Sequence, residues 1–353
     1  MSGRARQRNH QAISFFNKHR TIIRIWPQIG NEPTLADEGA VQDASVIICA
    51  HNPRPDYLGR VLDSLRAQTL RSNQWEFLLV DNASKSTLAS AWDISWHPNG
   101  RHIVENELGL ASARRRAMKE ASSDLLLFVD DDNLLDPNYI ARAVEIKRDW
   151  PLLGVWGSGA IIPEVEPLPA ERVKPLVPYL ALREVAAGLW GNVFPCIEAT
   201  PWGAGLCVRS NVAAAYRDLC EASVIQITGR RGKILLSGED VEICYLACKM
   251  GLGMGVFPEL KLTHLIPKER VAPEYLLRIF EGTAMSNLLL AYKWKGDLPW
   301  SPFSGRGLLS VLKNVLLRHG IDRRMFLANV CAAVKARRII SASRPLRDGV
   351  RRK

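Results

Sequence analysis

The sequence predicts an α/β fold in which helices flank a mainly parallel, Rossmann-like sheet. Two observations carry this prediction. Between residues 45 and 150, short apolar runs alternate with segments of helical periodicity, which is the pattern of βαβ units. The runs are continuously apolar instead of alternating with polar residues, as in strands that are buried on both faces. From residue 273 onward the periodicity is helical only, which predicts a helical appendage at the C-terminus.

The predicted parallel strands lie in the first half of the chain. They are the apolar runs 45–50, 77–80, 102–104 and 125–129. A helix is predicted after the first run, with Asp56 as its cap and with Leu58, Val61 and Leu62 on one face. Another helix is predicted over 110–121. Because parallel strands are joined by right-handed crossovers, we expect helices on both faces of the sheet.

The second half of the chain has a less regular pattern. Further strands are predicted over 152–162, 203–209, 255–257 and 262–264, and helices over 239–250, 308–317 and 325–340. A proline-rich link joins the first two of these strands. We therefore expect a flexible basic N-terminal extension over 1–43, an α/β domain over 44–270, and a helical C-terminal region with a basic tail over 271–353.

Composition and charge limit the classes of function. The chain has 353 residues and a net charge of +11, with basic residues concentrated before residue 25 and after residue 312. These ends are interpreted as solvated charge, as a surface for anionic lipid, or as a nucleic-acid footprint, although no nucleic-acid fold signature accompanies them. The sequence contains no run of 18 consecutive apolar residues, so no membrane-spanning helix is predicted. The basic N-terminus is not followed by the long apolar run that is typical of a signal peptide. Seven cysteines without zinc spacing favour reduced thiols in a cytoplasmic protein.

Polar clusters follow the predicted parallel strands directly. They are His51-Asn52, Asp81-Asn82, Glu105-Asn106 and Asp130-Asp131-Asp132. In an open parallel sheet, ligands bind in the crevice at the carboxyl ends of the strands. The sequence therefore predicts a ligand site at this edge, and we place Asn52 in it.

The triple aspartate is the strongest single indication of chemistry. In an extended backbone, Asp130 and Asp132 would point the same way, so we expect them to share one Mg²⁺ or Mn²⁺ ion. His264, after a later strand, would complete the site as an imidazole ligand. Such a metal can bridge two phosphates of a diphosphate group. The alternatives are a polar strand end that precedes a turn and a histidine with a structural role only.

A second acidic pair opens a predicted helix. Gly238 permits a tight turn, and Glu239 and Asp240 follow it in the first helical turn. One of these carboxylates would be a general base for an incoming hydroxyl group. Neighbouring side chains on a helix diverge by about 100 degrees, so only one of the two can face the crevice. The alternative is that both acids simply stabilise the positive end of the helix dipole.

Six segments, taken in order, resemble the family 2 inverting glycosyltransferases, which have the GT-A fold. They are S-V-I-I-C-A-H-N (45–52), L-L-V-D-N-A-S (78–84), N-E-L-G-L-A-S-A-R (106–114), F-V-D-D-D (128–132), W-G-A-G-L-C-V-R (202–209) and S-G-E-D-V-E-I-C (237–244). The resemblance covers residue 45 to about residue 270. It implies a GT-A type of α/β fold with a nucleotide-diphospho-sugar as donor.

The resemblance also implies roles on the donor side of the site. Asp81 resembles the aspartate that hydrogen-bonds the base of the donor, and Arg114 resembles an arginine beside the nucleotide. Asp130 and Asp132 resemble the outer members of the D-x-D motif, which holds Mg²⁺ or Mn²⁺ against the diphosphate. Asp131 is assigned with Asn52 to the donor site.

On the acceptor side, Asp240 resembles the general base of the family. Trp202 and Gly203 resemble the loop near the acceptor, and Glu239 is placed with them. His264 matches a late histidine that some members use near the metal. The chain departs from the family pattern at Arg115-Arg116 and at Asn133, where members often have asparagine and a fourth acid.

The implied activity is transfer of a sugar from a UDP- or GDP-sugar to an acceptor hydroxyl with inversion of configuration. Family members of this kind build bacterial surface or extracellular polysaccharides, which suggests a glycan or lipid-linked glycan acceptor and a cytoplasmic protein at the inner face of the cell membrane. No nucleic-acid partner is expected. One alternative is a nucleotidyltransferase, although the phosphate-binding loop expected after the first strand of such an enzyme is missing here. The other alternative is a catalytically inactive relative that serves as a scaffold or glycan-binding partner.

Overall fold

The computed structural model of the chain describes residues 42–165, 171–227, 230–231 and 234–343. All of them belong to a compact unit that spans Glu38–Lys353. The predicted N-terminal extension lies outside the described residues up to residue 41, and so does the basic tail from residue 344. All seven cysteines are free thiols, as expected.

Strands and helices alternate along most of the described residues. The strands are β1 (Ala44–Ala50), β2 (Trp75–Asn82), β3 (Gly100–Glu105), β4 (Leu125–Val129), β5 (Asn133–Leu135), β6 (Leu153–Val165), β7 (Arg183–Glu184), β8 (Leu189–Gly191), β9 (Leu206–Arg209), β10 (Arg230–Arg231), β11 (Ile234–Leu235) and β12 (Gly253–Ile266). The helices are α1 (Pro55–Arg66), α2 (Leu88–Ala91), α3 (Leu110–Glu120), α4 (Tyr139–Asp149), α5 (Ser210–Ala222), α6 (Glu239–Lys249), α7 (Pro273–Lys295), α8 (Gly305–Leu317) and α9 (Gly320–Ser343). Short 3₁₀ segments lie at Ser72–Gln74, Glu171–Leu180 and Lys268–Val271.

One large sheet organises the molecule, with the strand order β3-β2-β1-β4-β9-β6-β12-β5. The first four strands are parallel, as predicted. Beyond β4 the sheet is mixed, because β9 is antiparallel to both β4 and β6, whereas β12 is parallel to β6. The short strands β7 and β8 pair with β6 and β12, and β10 and β11 form a separate ribbon.

Both faces of the sheet are covered, which explains the continuously apolar strands. In β1, Val46 and Ile48 pack in one core with α1 and α4, whereas Ile47 packs in the other core with α3, α5 and α6. Strand β4 alternates in the same way, with Leu127 on the first side and Phe128 on the second. The α/β fold with helices on both faces is therefore confirmed.

The helical appendage predicted at the C-terminus is also present. Helix α7 packs against the 3₁₀ segment Glu171–Leu180 through Leu276 and Phe280, and against α9 through Leu289. Helices α8 and α9 follow it and contact each other. Within the described part of the chain, no helix combines the length and the apolar character that crossing a bilayer requires.

Two local predictions were wrong. Helix α1 begins at Pro55 with Arg54 in the capping position, and Asp56 forms an ion pair with Arg54 at 2.7 Å instead of capping the helix. The strands predicted over 255–257 and 262–264 are parts of one strand, β12, because a register shift against β6 between Phe257 and Lys261 lets it continue through the irregular stretch.

Candidate functional site

The carboxyl ends of β1 and β2 meet at one edge of the sheet, as predicted. His51 Nδ1 donates a hydrogen bond to the carbonyl oxygen of Asn82 at 2.7 Å. The backbone N–H of Asn52 donates to Ser84 Oγ at 3.0 Å, and the backbone N–H of Lys85 donates to Asn52 Oδ1 at 2.9 Å. The side chain of Asn52 therefore fixes the loop that follows β2.

Asp81 is buried at the end of β2. Its two carboxylate oxygens accept hydrogen bonds from the backbone N–H groups of Ser84 and Leu88, each at 2.9 Å. Burial raises the pKa of Asp81, but the hydrogen bonds from Leu88 and Ser84 outweigh it and hold the pKa below its usual range. Asp81 is thus an ionised hydrogen-bond acceptor at the end of β2.

The triple aspartate does not continue β4 as an extended backbone, so that expectation was wrong. The backbone N–H of Asn133 donates to the carbonyl oxygen of Asp130 at 3.1 Å, which closes a tight turn into β5. In this turn, Asp130 forms an ion pair with Arg114 and Asp132 forms one with Arg270. The outer two carboxylates therefore face different cations, because the chain reverses between them.

The pairing of β5 with β12 brings His264 to the triple aspartate. Asn133 lies opposite His264 in this ladder, and the backbone N–H of Leu265 donates to the carbonyl oxygen of Asp132 at 2.8 Å. As a result, His264 Nε2 lies 3.6 Å from Asp132 Oδ2, and Arg270 Nη1 lies 2.6 Å from the same oxygen. Two of the predicted metal ligands are thus neighbours.

The acids of this turn repel one another. Burial, and then the charges of Asp132 and Asp130, raises the pKa of Asp131 to about 7. A bound divalent cation would relieve that repulsion, and carboxylates with an imidazole suit Mg²⁺ or Mn²⁺. The residue types present therefore suit the implied metal, but Asp130 and Asp132 are paired with different arginines, and no three His, Cys, Asp or Glu side chains in the described ranges converge as a metal site.

Arg114 connects the donor and acceptor sides of the predicted site. It is buried in α3, and its guanidinium contacts Glu239 Oε1 at 2.9 Å, Asp130 Oδ1 at 3.0 Å and the carbonyl oxygen of Gly203 at 3.4 Å. Burial lowers the pKa of Arg114, but Asp130 and Glu239 outweigh it and hold the pKa above its usual range. This cation is permanently charged, and it joins α3, the end of β4 and the start of α6.

Glu239 and Asp240 lie in different surroundings at the start of α6. Gly238 precedes them with a φ of 117°, which lets the chain turn sharply into the helix. Glu239 is buried against Arg114, and burial raises its pKa although the charge of Arg114 opposes this. Asp240 is half-buried, and its Oδ2 accepts a hydrogen bond from the backbone N–H of Gly203 at 2.8 Å.

The loop around Trp202 is held by residues that the sequence did not single out. The Arg183 guanidinium stacks 3.9 Å above the Trp202 ring and donates to the carbonyl oxygen of Thr200 at 2.9 Å. The Tyr139 hydroxyl donates to the carbonyl oxygen of Gly205 at 2.7 Å. These contacts give the predicted acceptor loop a fixed shape. Their partners come from β7 and α4, which are distant in sequence.

The predicted site residues fall into three connected groups. Asn52 and Asp81 meet at the loop after β2 through Ser84. A second group joins residues from the end of β4, α3, α6 and the acceptor loop, namely Asp130, Arg114, Glu239, Asp240 and Gly203. The third group contains Asp132 and His264 together with Arg270, which the sequence analysis missed. The feature of the sequence that could have identified Arg270 is its position six residues after His264.

The amino-acid sequence matches known proteins over part of its length. Residues 45–179 match Glycosyl transferase family 2. The O-antigen biosynthesis protein RfbC of Myxococcus xanthus is 32% identical over 130 residues, which are 33% of this chain and 9% of that protein. The uncharacterized glycosyltransferase YwdF of Bacillus subtilis (strain 168) is 30% identical over 98 residues, which are 28% of this chain and 35% of that protein. The chain thus spans only a small part of RfbC and about a third of YwdF.

The fold is similar to that of a solved enzyme. The mannosyltransferase PcManGT from Pyrobaculum calidifontis, in complex with GDP-Man and Mn²⁺, superposes with a TM-score of 0.51 at 16% identity, over 86% of this chain and 76% of that chain. At this identity the likeness shows the fold alone. It confirms the GT-A type of α/β fold that the sequence motifs implied.

Proposed function

We propose that this chain, whose residues 45–179 match glycosyl transferase family 2, transfers a sugar from a nucleotide-diphosphate-sugar to an acceptor hydroxyl with inversion of configuration. One observation supports this function most directly. Arg114 links Asp130, on the donor side, with Glu239, which lies next to the proposed base Asp240. A single buried guanidinium thereby sets the relative position of the groups that would hold the leaving diphosphate and activate the acceptor.

On the donor side, we assign Asp130, Asp132 and His264 to a divalent cation, Mg²⁺ or Mn²⁺. When bound, the metal would neutralise charge on the diphosphate leaving group. The distance of 3.6 Å between His264 Nε2 and Asp132 Oδ2 supports this assignment. Arg270, which contacts Asp132, would add a second positive charge beside the diphosphate.

The nucleotide part of the donor is assigned to the edge of the sheet formed by β1 and β2. Asp81 offers ionised oxygens to the N–H groups of a base, and Asn52 shapes the adjoining loop. Asp131 and Arg114 would complete the donor side. A UDP- or GDP-sugar fits these roles, and a protein of similar fold was solved with GDP-Man and Mn²⁺.

On the acceptor side, Asp240 would take the proton of the attacking hydroxyl. The N–H of Gly203 holds one carboxylate oxygen of Asp240, which orients the group toward the loop that carries Trp202. Glu239 would assist through Arg114 at the same end of α6. A single displacement by the activated hydroxyl inverts the configuration at the anomeric carbon. We assign these steps to the region 44–270.

The biological role follows by analogy with relatives. A curated relative is an O-antigen biosynthesis protein, although the match covers 9% of its length. We propose that this chain acts in bacterial surface or extracellular polysaccharide synthesis, on a glycan or lipid-linked glycan, at the cytoplasmic face of the membrane. The analogy with proteins of similar fold supports glycosyl transfer as the class of reaction more strongly than it supports the identity of the acceptor.

The proposal is tested by ligand binding and turnover. We expect one UDP- or GDP-sugar to raise the melting temperature in the presence of Mn²⁺, and to be hydrolysed slowly without an acceptor. Asp132→Asn should abolish the Mn²⁺-dependent binding of the donor, measured by calorimetry, while circular dichroism shows that the protein remains folded. Binding without any turnover would instead support an inactive, glycan-binding relative, and turnover of nucleoside triphosphates would support a nucleotidyltransferase. Equal donor affinity in Asp132→Asn and wild type would refute the metal assignment.

A further inference from the structure

Helix α8 presents a row of large apolar side chains to solvent. Leu308, Leu309, Leu312 and Leu316 are each between 50% and 75% exposed. Four exposed leucines within nine residues of one helix are not an ordinary surface, because isolated apolar residues are common there but contiguous apolar patches are not. Leucines in such a patch indicate a partner that takes them out of water.

The exposed leucines form one stripe of the helix. At about 100 degrees per residue, these four positions fall within a sector of about 100 degrees. Val311 and Val315 lie to one side of the stripe and are half-buried, and α8 as a whole contacts α9. On the other side of the stripe lie Arg306 and Lys313, both exposed. The helix is therefore attached along one edge, and its apolar stripe is bordered by basic residues.

A second exposed feature lies just before α8 in the chain. Phe303 is 77% exposed, and it lines a shallow groove together with Arg337 and Arg338 of α9. Protein segments that lie at a membrane surface often combine an aromatic ring with arginine side chains. The ring enters the boundary between headgroups and acyl chains, and arginine binds lipid phosphate. This second observation is independent of the leucine stripe.

The charge of the region is strongly one-sided. Residues 305–343 contain eight lysines and arginines and a single acid, Asp322. A second copy of the chain is a poor partner for this face, because a two-fold contact would press two such basic surfaces against each other. An anionic lipid surface satisfies both the apolar stripe and the charge.

We infer that α8 is an interfacial helix that docks the protein on an anionic membrane. Its leucine stripe would lie in the boundary between headgroups and acyl chains, and the exposed side chains of Arg306, Lys313 and Arg338 would contact lipid phosphates. This goes beyond the proposed function, since it assigns a binding surface and a ligand class to a helix outside the catalytic region. It also differs from adsorption of basic termini, because part of the binding energy is apolar and resists salt.

The test is co-sedimentation of the full chain with vesicles of phosphatidylcholine, with and without phosphatidylglycerol. We expect binding to the anionic vesicles that weakens in high salt without vanishing. Leu309→Gln and Leu316→Gln should each lower the partition coefficient by about tenfold. The matched control is Leu152→Gln, because Leu152 is 74% exposed but lies before β6; it should bind like wild type.

Several results would overturn the inference. One is unchanged vesicle binding in the double variant Leu309→Gln/Leu316→Gln, and another is binding that 1 M salt removes completely. Concentration-dependent dimerisation that the double variant abolishes, without vesicle binding by wild type, would assign the stripe to a second copy instead. The donor affinity of each variant should equal that of wild type, so a failure of this inference is distinguishable from a failure of the proposed transferase.

Discussion

Asp240 and Glu239 show how two adjacent acids acquire different properties. Glu239 is buried against Arg114, whereas Asp240 is half-buried and bonded to the N–H of Gly203. The buried carboxylate is committed to an ion pair. The carboxylate of Asp240 is oriented by the backbone N–H groups of Gly203 and Val241, and it is only half-buried, which favours Asp240 as the base.

We expect Asp240→Asn to lower turnover by about two to four orders of magnitude, because the amide keeps the shape of the side chain but cannot accept the proton. Donor affinity should not change, since the diphosphate contacts lie elsewhere. Steady-state kinetics and calorimetry with the donor measure the two effects. Normal turnover in Asp240→Asn together with an inactive Glu239→Gln, in a folded protein, would reverse the assignment.

His97 links stability to pH away from the site. Its ring packs edge-to-face on Trp75, with 4.1 Å between ring centroids, and its Nδ1 accepts a hydrogen bond from the backbone N–H of Asn99. Burial lowers the pKa of His97 to about 4, with the charge of Glu76 opposing it weakly. The folded state therefore holds a neutral ring at pH values where the unfolded chain takes up a proton.

Because the folded pKa lies below the unfolded value, the contribution of His97 is complete above pH 6.5 and is lost as the pH falls toward 4. We expect the free energy of unfolding to fall by on the order of 2 kcal/mol over this window from this residue alone. His97→Phe keeps the aromatic packing without the titration, so its stability should depend less steeply on pH. Urea unfolding at pH 4, 5, 6 and 7 measures the difference, and parallel curves for the two proteins would contradict the prediction.

At the scale of single residues, the sequence was informative about the site and less so about its contacts. Asp81 and Asp130 could be predicted because each follows a buried strand, and strand ends meet at one edge of a sheet. The ion pair between Asp132 and Arg270, which lie 138 residues apart, could not be predicted, since it depends on the pairing of β5 with β12. Local patterns contain no information about such a distant partner.

Among the elements, the acceptor loop depends on an unusual backbone conformation. Gly205 has a φ of 69°, and a Cβ atom at this position would collide with the Tyr139 hydroxyl and approach Ser158 Oγ to 2.6 Å. The same hydroxyl bonds the carbonyl oxygen of Gly205. Glycine is thus required twice, for the left-handed backbone and for the close approach of α4.

We expect Gly205→Ala to lower the free energy of unfolding by at least about 3 kcal/mol and to impair turnover, because the acceptor loop must shift. Gly251→Ala is the matched control. Gly251 also has a positive φ, 82°, but its Cβ would meet open space, so only the backbone cost of about 1 kcal/mol should remain. Thermal unfolding and kinetics of both variants give the comparison. Equal losses of stability would show that the contact with Tyr139 is unimportant.

Arg114 connects three elements, α3, α6 and the turn after β4. Replacing it with methionine leaves Glu239 buried without its cation, and we expect the free energy of unfolding to fall by about 3–5 kcal/mol. Removing the acid as well, in Arg114→Met/Glu239→Gln, should restore part of this loss. Urea denaturation of the single and double variants tests the coupling, and strictly additive losses would mean that the pair is not the cause.

Helices α1, α3 and α6 and the long strands could be predicted from periodicity, because each buries an apolar face, whereas α4 and α5 were not predicted. The short strands β5, β7 and β8 could not, since two or three residues show no period. The turn of Asp130–Asn133 was mistaken for extended backbone for the same reason. It is fixed by the ladder that follows, not by its own composition.

At the scale of the whole molecule, the parallel half of the sheet lies in the first 130 residues and the mixed half is completed by β12. The parallel half could be predicted because its strands follow one another along the chain. In the mixed half, β9 lies between β4 and β6, and β12 returns beside β6 from a distant part of the chain. That order depends on how the layers pack, which a reading of the sequence does not show.

Two of the ion pairs described at the site close loops of 125 and 138 residues, from Arg114 to Glu239 and from Asp132 to Arg270. During synthesis on a ribosome, Arg114 and the triple aspartate emerge long before these partners exist, because translation adds about 5–20 residues per second. The first half of the sheet can pair early, but its charged edge stays open until α6 and the end of β12 have left the exit tunnel. Assembly of the site is therefore a late step in the folding of the nascent chain, and a chain that stops before residue 270 cannot form the ion pair between Asp132 and Arg270.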